Sequence, residues 1–303
     1  MLNDSIRVFL TVVDKKSFSK AAKALFLTQP AISFQIQMLE EYYGTRLFDR
    51  VSRNISLTQA GHLLLGYANH MTKLQSELER EMQELTGTIK GRLLIGASTT
   101  IGEYIVPYLL GAFKKKYPEV ELSLEVGNSE DIENKIHDTS LDIGLVEGPV
   151  TVKDIEKELF LKDQMVLVVS HDHPWAQLDK ISVFELDKFP FISREKGSGT
   201  RIETEQHLKK TGFSANNLKV IMELGSTSAI KAAVESGLGM SIISKWAAKE
   251  KVKLGQLAQL NFKEDIFERD FNVIHHKKKF RTQAADEFLR FIKTSEALDL
   301  LER

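Results

Sequence analysis

The spacing of hydrophobic positions changes several times along the chain, and each change marks an element. Ile6, Phe9, Leu10 and Val13 share one face of a helix predicted from about Asn3 to Asp14. Phe18, Ala21, Ala22, Leu25 and Phe26 repeat that 3-and-4 spacing, and Ile32, Ile36 and Leu39 repeat it again. Between these two runs Thr28-Gln29-Pro30 reads as a helix start. Thr28 can cap free N–H groups, and Pro30 falls in the first turn, where its missing N–H costs little. After Gly44, LFDRVSRNISLT sets Ile55 and Leu57 against polar neighbours, the pattern of a short hairpin. From Thr58 to Leu85 the helical signal is longest, with Leu64, Met71, Leu78 and Leu85 recurring every seven residues and Tyr67 and Leu74 between them.

Beyond a glycine-bounded break at 87–90 the pattern alternates strand and helix. RLLIGAS, a helix from Tyr104 to Tyr117, VELSLEVG, a helix from Ile132 to His137 and LDIGLVEG make a βαβαβ series. After the crossing strand MVLVVS a second series follows: FPFISREKGSGT, a helix from Arg201 to Thr211, LKVIMELGS, a helix from Thr227 to Ser236 and GMSIISK. FERDFNVIHH reads as a strand and Thr282 to Thr294 as a last helix. The simplest assembly is two α/β lobes, 91–161 with 268–303 and 162–267, the chain crossing near Leu161 and again near Phe267. A compact module over 1–57 and a linking helix over 58–86 precede them.

Two short helices joined by a tight turn form a helix-turn-helix, whose second helix can enter the DNA major groove. Any small helical domain contains such a turn, so the side chains on the second helix matter more. Gln29, Ser33, Gln35 and Gln37 can donate to and accept from base edges. From Gln29 to Tyr43 there is no Lys or Arg, so phosphate contacts must come from flanking residues such as Lys20, Arg46, Arg50 and Arg53. The hairpin reads as a wing, with Arg50 and Arg53 in it and Arg46 beside it. The seven-residue stripe on the linking helix is too long for its own small domain to cover. It predicts a partner helix and hence a homodimer or homotetramer, unless it packs against the C-terminal part of the same chain.

Composition narrows the class. Among 303 residues, 42% are hydrophobic and 27% charged, with 41 Lys and Arg against 42 Asp and Glu, so the net charge of -1 argues against a protein that coats nucleic acid indiscriminately. The first 61 residues hold eight basic and five acidic ones, a local positive surplus. The absence of Cys excludes disulfides, thiolate metal sites and thiol redox chemistry. Neither a secretory leader nor a membrane span is expected, which makes a cytoplasmic protein the default. No cofactor motif is present.

SFSKAAKAL, TQPAISFQIQMLE and LFDRVSRNISLTQAG, with the order and length of the rest, closely resemble the LysR-type transcriptional regulators. The resemblance implies an α/β protein with an N-terminal winged helix-turn-helix, a dimerising linker helix and a C-terminal two-lobed effector domain similar to periplasmic binding proteins. It places Gln29, Pro30 and Ser33 at family DNA-contact positions and Arg53 at the wing's basic contact, and Thr28 is a further DNA-binding candidate beside them. Phe34 departs from the Arg that many members carry there. REKGSGTR resembles the loop of the branch controlling sulfur assimilation, sulfite response or carbon fixation, which implies a small anionic effector, either a sulfur-containing anion or a phosphorylated carbon metabolite. The family implies double-stranded DNA at interrupted palindromes and RNA polymerase as further partners.

In open α/β sheets ligands bind beyond the carboxyl ends of the strands. Ser98, Thr99 and Thr100 follow the first strand there, Gly197, Ser198, Gly199 and Thr200 follow FPFIS, and Ser226 and Thr227 follow LKVIMEL. Each could be a helix cap only, but together they favour an anion held by N–H groups and hydroxyls. Arg194, Lys196 and Arg201 could add charge or pair with Glu195 or Glu203. Enzyme chemistry has little support, since HDHPW reads as a turn and no metal site is expected from His171, His173, His275 or His276. A transport-type binding protein fits two lobes but not the N-terminal module.

Overall fold

The computed structural model describes residues 2–49, 55–86, 89–265, 267–277, 279 and 281–302. Contacts divide the chain into two units, Met1–Thr86 and Gly87–Arg303.

In the first unit, α1 (Leu2–Lys15), α2 (Phe18–Leu25) and α3 (Gln29–Tyr43) bury Phe9, Val12, Ala21, Ala22, Ile32, Ile36 and Leu39 against one another. Caps fix the starts of α2 and α3. The Ser17 hydroxyl accepts the Lys20 N–H at 3.3 Å, and the Thr28 hydroxyl accepts the Ala31 N–H at 3.4 Å. Strands β1 (Phe48–Asp49) and β2 (Ser56–Leu57) pair antiparallel as the wing, with Phe48 opposite Leu57. The wing tip, with Arg50 and Arg53, lies outside the described residues.

Helix α4 (Gln59–Thr86) begins inside this core and then leaves it. Gly61 lets it approach, since a Cβ there would stand 2.2 Å from the Leu47 carbonyl oxygen. Leu64, expected in the dimer stripe, is buried in the unit's own core instead, so the expected boundary at residue 57 is not a boundary in packing.

The second unit starts with β3 (Gly91–Ser98), then α5 (Thr99–Tyr104), α6 (Val106–Lys116), β4 (Val120–Gly127), α7 (Ser129–His137) and β5 (Ile143–Glu147). The helix expected to start near Tyr104 starts at Thr99 and is interrupted at Ile105, just before Pro107. The sixteen-residue β6 (Ile155–Ser170) crosses to the second lobe. There follow β7 (Lys180–Ile181), β8 (Pro190–Arg194), α8 (Gly199–Lys210), β9 (Lys219–Leu224), α9 (Thr227–Glu235), β10 (Ser241–Ser244), α10 (Lys245–Lys253) and β11 (Leu257–Phe262). β12 (Glu268–His276) crosses back, and α11 (Gln283–Phe291) and α12 (Ser295–Glu302) close the first lobe.

β3 pairs parallel with β4 and β5, as the βαβ pattern predicts. β12 lies antiparallel beside β5 and β6, and its register with β6 shifts between Phe271 and Asn272. The second half of β6 carries β10 and β11, so two lobes hang on two crossing strands. α11 packs Ala285, Phe288 and Ile292 onto the first-lobe core with Leu93, Ile95 and Phe113. Helix α10 and strand β11 lie where the sequence reading placed no element, and α12 adds a further helix beyond the last one expected.

Candidate functional sites

On α3 the structure separates the residues that the spacing treats alike. Gln29, Pro30, Phe34 and Gln37 are exposed and Ser33 is half-buried, while Ile32, Ile36 and Leu39 face the core. Gln35, expected to face DNA, turns back into the domain, where its Oε1 accepts the Ser5 hydroxyl at 2.5 Å. The acidic end of α3 has internal duties: Glu40 accepts the Leu47 N–H at 2.8 Å and holds the start of the wing, and Glu41 accepts from the Gln37 amide at 2.8 Å. Lys20 and Arg46 are exposed beside this surface.

Along α4, Tyr67, Met71, Leu74 and Leu78 are exposed, joined by Leu63 and Met82. A groove of about 760 Å³ between α1 and α4 is lined by Ile6, Leu10, Met71, Leu74 and Leu78. The side chain of Leu85 lies outside the described set.

The second unit gathers the small hydroxylic residues where its lobes meet. Thr100 of the first lobe and Thr227 of the second share a hydrogen bond at 3.4 Å, and Arg194 donates to the Thr227 hydroxyl at 3.1 Å. Ser98 donates to the Glu147 carboxylate, whose other oxygen accepts the Thr200 hydroxyl at 3.3 Å. Arg269, on the returning strand, donates to Thr200 at 2.9 Å and to Asp163 at 2.8 Å. Ser244 donates to the other Asp163 oxygen at 2.7 Å. Burial pushes the Asp163 carboxyl up from its ordinary range, against the pull of Arg269 beside it. All of these side chains are buried.

Three buried groups on or next to these residues have no partner: the Thr99 hydroxyl, the Ser198 hydroxyl and the Nη2 of Arg269. Buried polar groups are normally satisfied, so such donors mark a place where a ligand can bind. Ser198 stands at the N-cap of α8 yet makes no capping bond, and Ser98 makes none at α5. Ser226 is the opposite case, because its hydroxyl caps α9 by accepting the Ala229 N–H at 3.1 Å. Gly197 takes φ +83, and Gly199 lets the lobes close, since a Cβ on it would meet the Glu147 carbonyl oxygen at 2.2 Å.

The cations divide unexpectedly. Arg194 forks onto Glu195 at 2.7 and 2.8 Å, Lys196 is exposed, and Arg201 pairs with Glu205 and Glu223 rather than with Glu203. Arg269 is a second cation inside the cluster, beside Arg194, and sequence reasoning missed it together with Glu147 and Asp163. A signal existed: Arg269 and Phe271 alternate with Glu268 and Asp270 at the start of one strand, on a buried face where an arginine has no place without a partner.

Among the described residues no group of three His, Cys, Asp or Glu is arranged to hold a metal ion. His171 lies beside Asp172, His173 packs against Trp175 and Phe189, and Arg281 contacts His275.

The family model for the bacterial regulatory helix-turn-helix of the lysR family matches residues 3–62, and the LysR substrate binding domain matches residues 86–297. The chain belongs to the LysR family. It is a DNA-binding transcriptional regulator with an effector-binding domain of two α/β lobes. It is 32% identical over 302 residues to the HTH-type transcriptional regulator CysL of Bacillus subtilis, covering all of both chains. It is 36% identical over 287 residues to the HTH-type transcriptional activator CmpR of Synechocystis, covering 94% of this chain and 92% of that one. The CcmR regulatory domain of Synechocystis, solved in complex with 2-PG, is 32% identical and superposes with a TM-score of 0.62, covering 67% of this chain and 96% of that one. The OxyR C206 mutant of Corynebacterium glutamicum shares the fold over 99% of this chain and 94% of that one, with a TM-score of 0.65 at 20% identity. LysR regulators bind DNA and small effectors and form oligomers. No helix among the described residues is long and apolar enough to cross a membrane.

Proposed function

We propose that this regulator is controlled by a small phosphorylated organic acid held between the two lobes of its second unit, and that it acts by binding alone, without catalysis. The observation that carries the effector reading is the set of unpartnered buried donors, Arg269 Nη2, Ser198 Oγ and Thr99 Oγ1. A buried guanidinium with buried hydroxyls suits a compact anion. Thr100, Thr200 and Thr227, already in contact across the lobes, are placed to exchange those bonds for ligand oxygens, with the backbone of Gly197 and Gly199 beside them. The relative solved with 2-PG, 2-phosphoglycolate, supports the phosphorylated class. A sulfur-containing anion is the competing class, and one experiment separates them. Titration calorimetry on the full-length protein with 2-phosphoglycolate, sulfate and thiosulfate should give heat with the first only; binding of sulfate or thiosulfate alone overturns the class.

On the DNA side, Thr28, Gln29, Pro30, Ser33 and Gln37 read base edges, while Lys20, Arg46, Arg50 and Arg53 hold phosphates. Paired α3 helices of a cytoplasmic dimer or tetramer occupy an interrupted palindrome with half-sites about 34 Å or a multiple apart. The effector shifts the arrangement of the subunits and so the contact with RNA polymerase, and effector and DNA must alter each other's affinity. Gln29→Ala or Ser33→Ala should relax sequence preference by about 1 to 3 kcal/mol. Arg53→Ala should weaken all sequences alike and flatten the salt dependence. Equal effects of all three on random duplexes would remove the division of roles.

A further inference from the structure

The side of α3 opposite its buried stripe is apolar at its centre. Ile32, Ile36 and Leu39 point into the domain, and at 100° per residue Phe34 stands roughly 180° from the middle of that stripe. Its side chain is 59% exposed, and Met38 and Tyr42 continue the same exposed line one and two turns on. Phe34 is the sixth residue of the helix, with exposed Pro30 and Gln37 on either side, so it lies in the N-terminal half that a recognition helix presents to base edges.

A phenyl ring can neither donate to a phosphate nor complete the hydrogen-bonding pattern of any base edge. In the major groove the one apolar group that a base presents is the 5-methyl of thymine. We propose that Phe34 is a specificity-determining residue that packs on a thymine 5-methyl group in each half-site. The proposal rests on the reading of α3 as the base-reading helix. It gives the surface one uncharged contact that selects a T·A pair in a fixed orientation, between the polar contacts of Ser33 and Gln37. Because the ring is exposed, truncating it removes little from the domain's core.

Duplexes selected from a random pool by the full-length protein supply the probe, and each thymine of the selected half-site is replaced in turn by uracil, which removes only the methyl group. One thymine per half-site should be sensitive. Uracil there should weaken the wild-type protein about fourfold per half-site, the cost of one methylene-sized apolar contact. Phe34→Ala should bind the thymine duplex more weakly and be indifferent to uracil at that position, while Phe34→Leu retains the sensitivity. Circular dichroism and oligomeric state should match the wild type in both variants. The proposal fails if no uracil substitution matters to the wild type, if Phe34→Ala keeps the sensitivity, or if Phe34→Ala leaves DNA binding unchanged, as it would were the ring covered by another protein. A selection that recovers no preferred sequence would overturn the reading of α3 itself. One in which Gln29→Ala relaxes the preference while uracil is silent would overturn Phe34 alone.

Discussion

The Glu147 carboxylate lies 3.7 Å from the Arg269 guanidinium, with 1% and 0% of the two side chains left in contact with solvent. Glu147 ends a first-lobe strand, Arg269 begins the strand that returns from the second lobe, and Thr200 of the second lobe touches both. Glu147 is thus an internal anion on the donors proposed for the effector. An incoming anion must share Arg269 with it and with Asp163. Replacing Glu147 by Gln keeps hydrogen-bonding atoms while removing the charge, and Asp163 still compensates Arg269. Glu147→Gln should bind 2-phosphoglycolate about tenfold more tightly, about 1.4 kcal/mol. Calorimetry on the two proteins checks this, and equal or weaker binding by the variant would show that the two anions do not compete.

Gly199 controls how closely the lobes approach at that point. A methyl group there would come within 2.2 Å of the Glu147 carbonyl oxygen and 2.6 Å of the Ser129 hydroxyl, and backbone on that side cannot yield cheaply. Gly199→Ala should destabilise the second unit by about 1 to 3 kcal/mol, the usual range for overpacking. It should also blunt the effector response while leaving affinity for DNA intact. Thermal unfolding and footprinting with and without 2-phosphoglycolate test both effects, and an unaltered response would mean that lobe closure at this glycine is not needed.

Much of this architecture was legible because local chemistry and burial agreed. The Thr28 cap with Pro30 behind it fixed the helix-turn-helix, and the shift from a 3.6 to a 2 period after residue 87 announced the lobes. What sequence could not supply was the partner of each polar group. Gln35 and Gln37 sit two residues apart on one helix, yet Ser5 from α1 takes the first and leaves the second outside. The same holds for Ser198 and Ser226, both at helix starts, where only Ser226 caps its helix. Arg269 and Glu147 are about 120 residues apart in sequence, so their meeting depends on the topology of the crossing strands, which no local pattern encodes.

His173 provides a pH test. Its Nδ1 accepts the Trp175 N–H at 3.1 Å, its Nε2 is buried without a partner, and its ring packs on Trp175 and Phe189. Burial holds its pKa below the ordinary histidine value of about 6.5. The unfolded chain therefore takes up a proton that the folded one refuses. The resulting stability is present above about pH 6.5 and is lost as pH falls below it. Because the ring is only partly buried, solvent screening should keep the loss under about 1 kcal/mol. His173→Asn can retain an acceptor for the Trp175 N–H without titrating. Urea unfolding followed by tryptophan fluorescence at about pH 7.5 and 5.5 should show a larger loss for the wild type than for the variant. Equal losses would place the acid sensitivity elsewhere.

The exposed stripe on α4 bears on where two recognition helices can land. Leu74 and Leu78 are 55% and 60% exposed and line the groove that α4 forms with α1. Apolar side chains at that spacing on a helix this long are covered in a dimer by a second copy. A carboxylate at either position would have to be buried in the interface without a partner, at a cost that the single chain does not incur. Leu74→Glu with Leu78→Glu should therefore yield a folded protein that light scattering reports as a monomer. Its affinity for a full palindrome should fall by about a hundredfold or more, because two half-sites are no longer bound by one linked unit. Binding to a single half-site should be nearly unchanged. A variant that remains dimeric with wild-type affinity for the palindrome would show that the subunits meet through another surface.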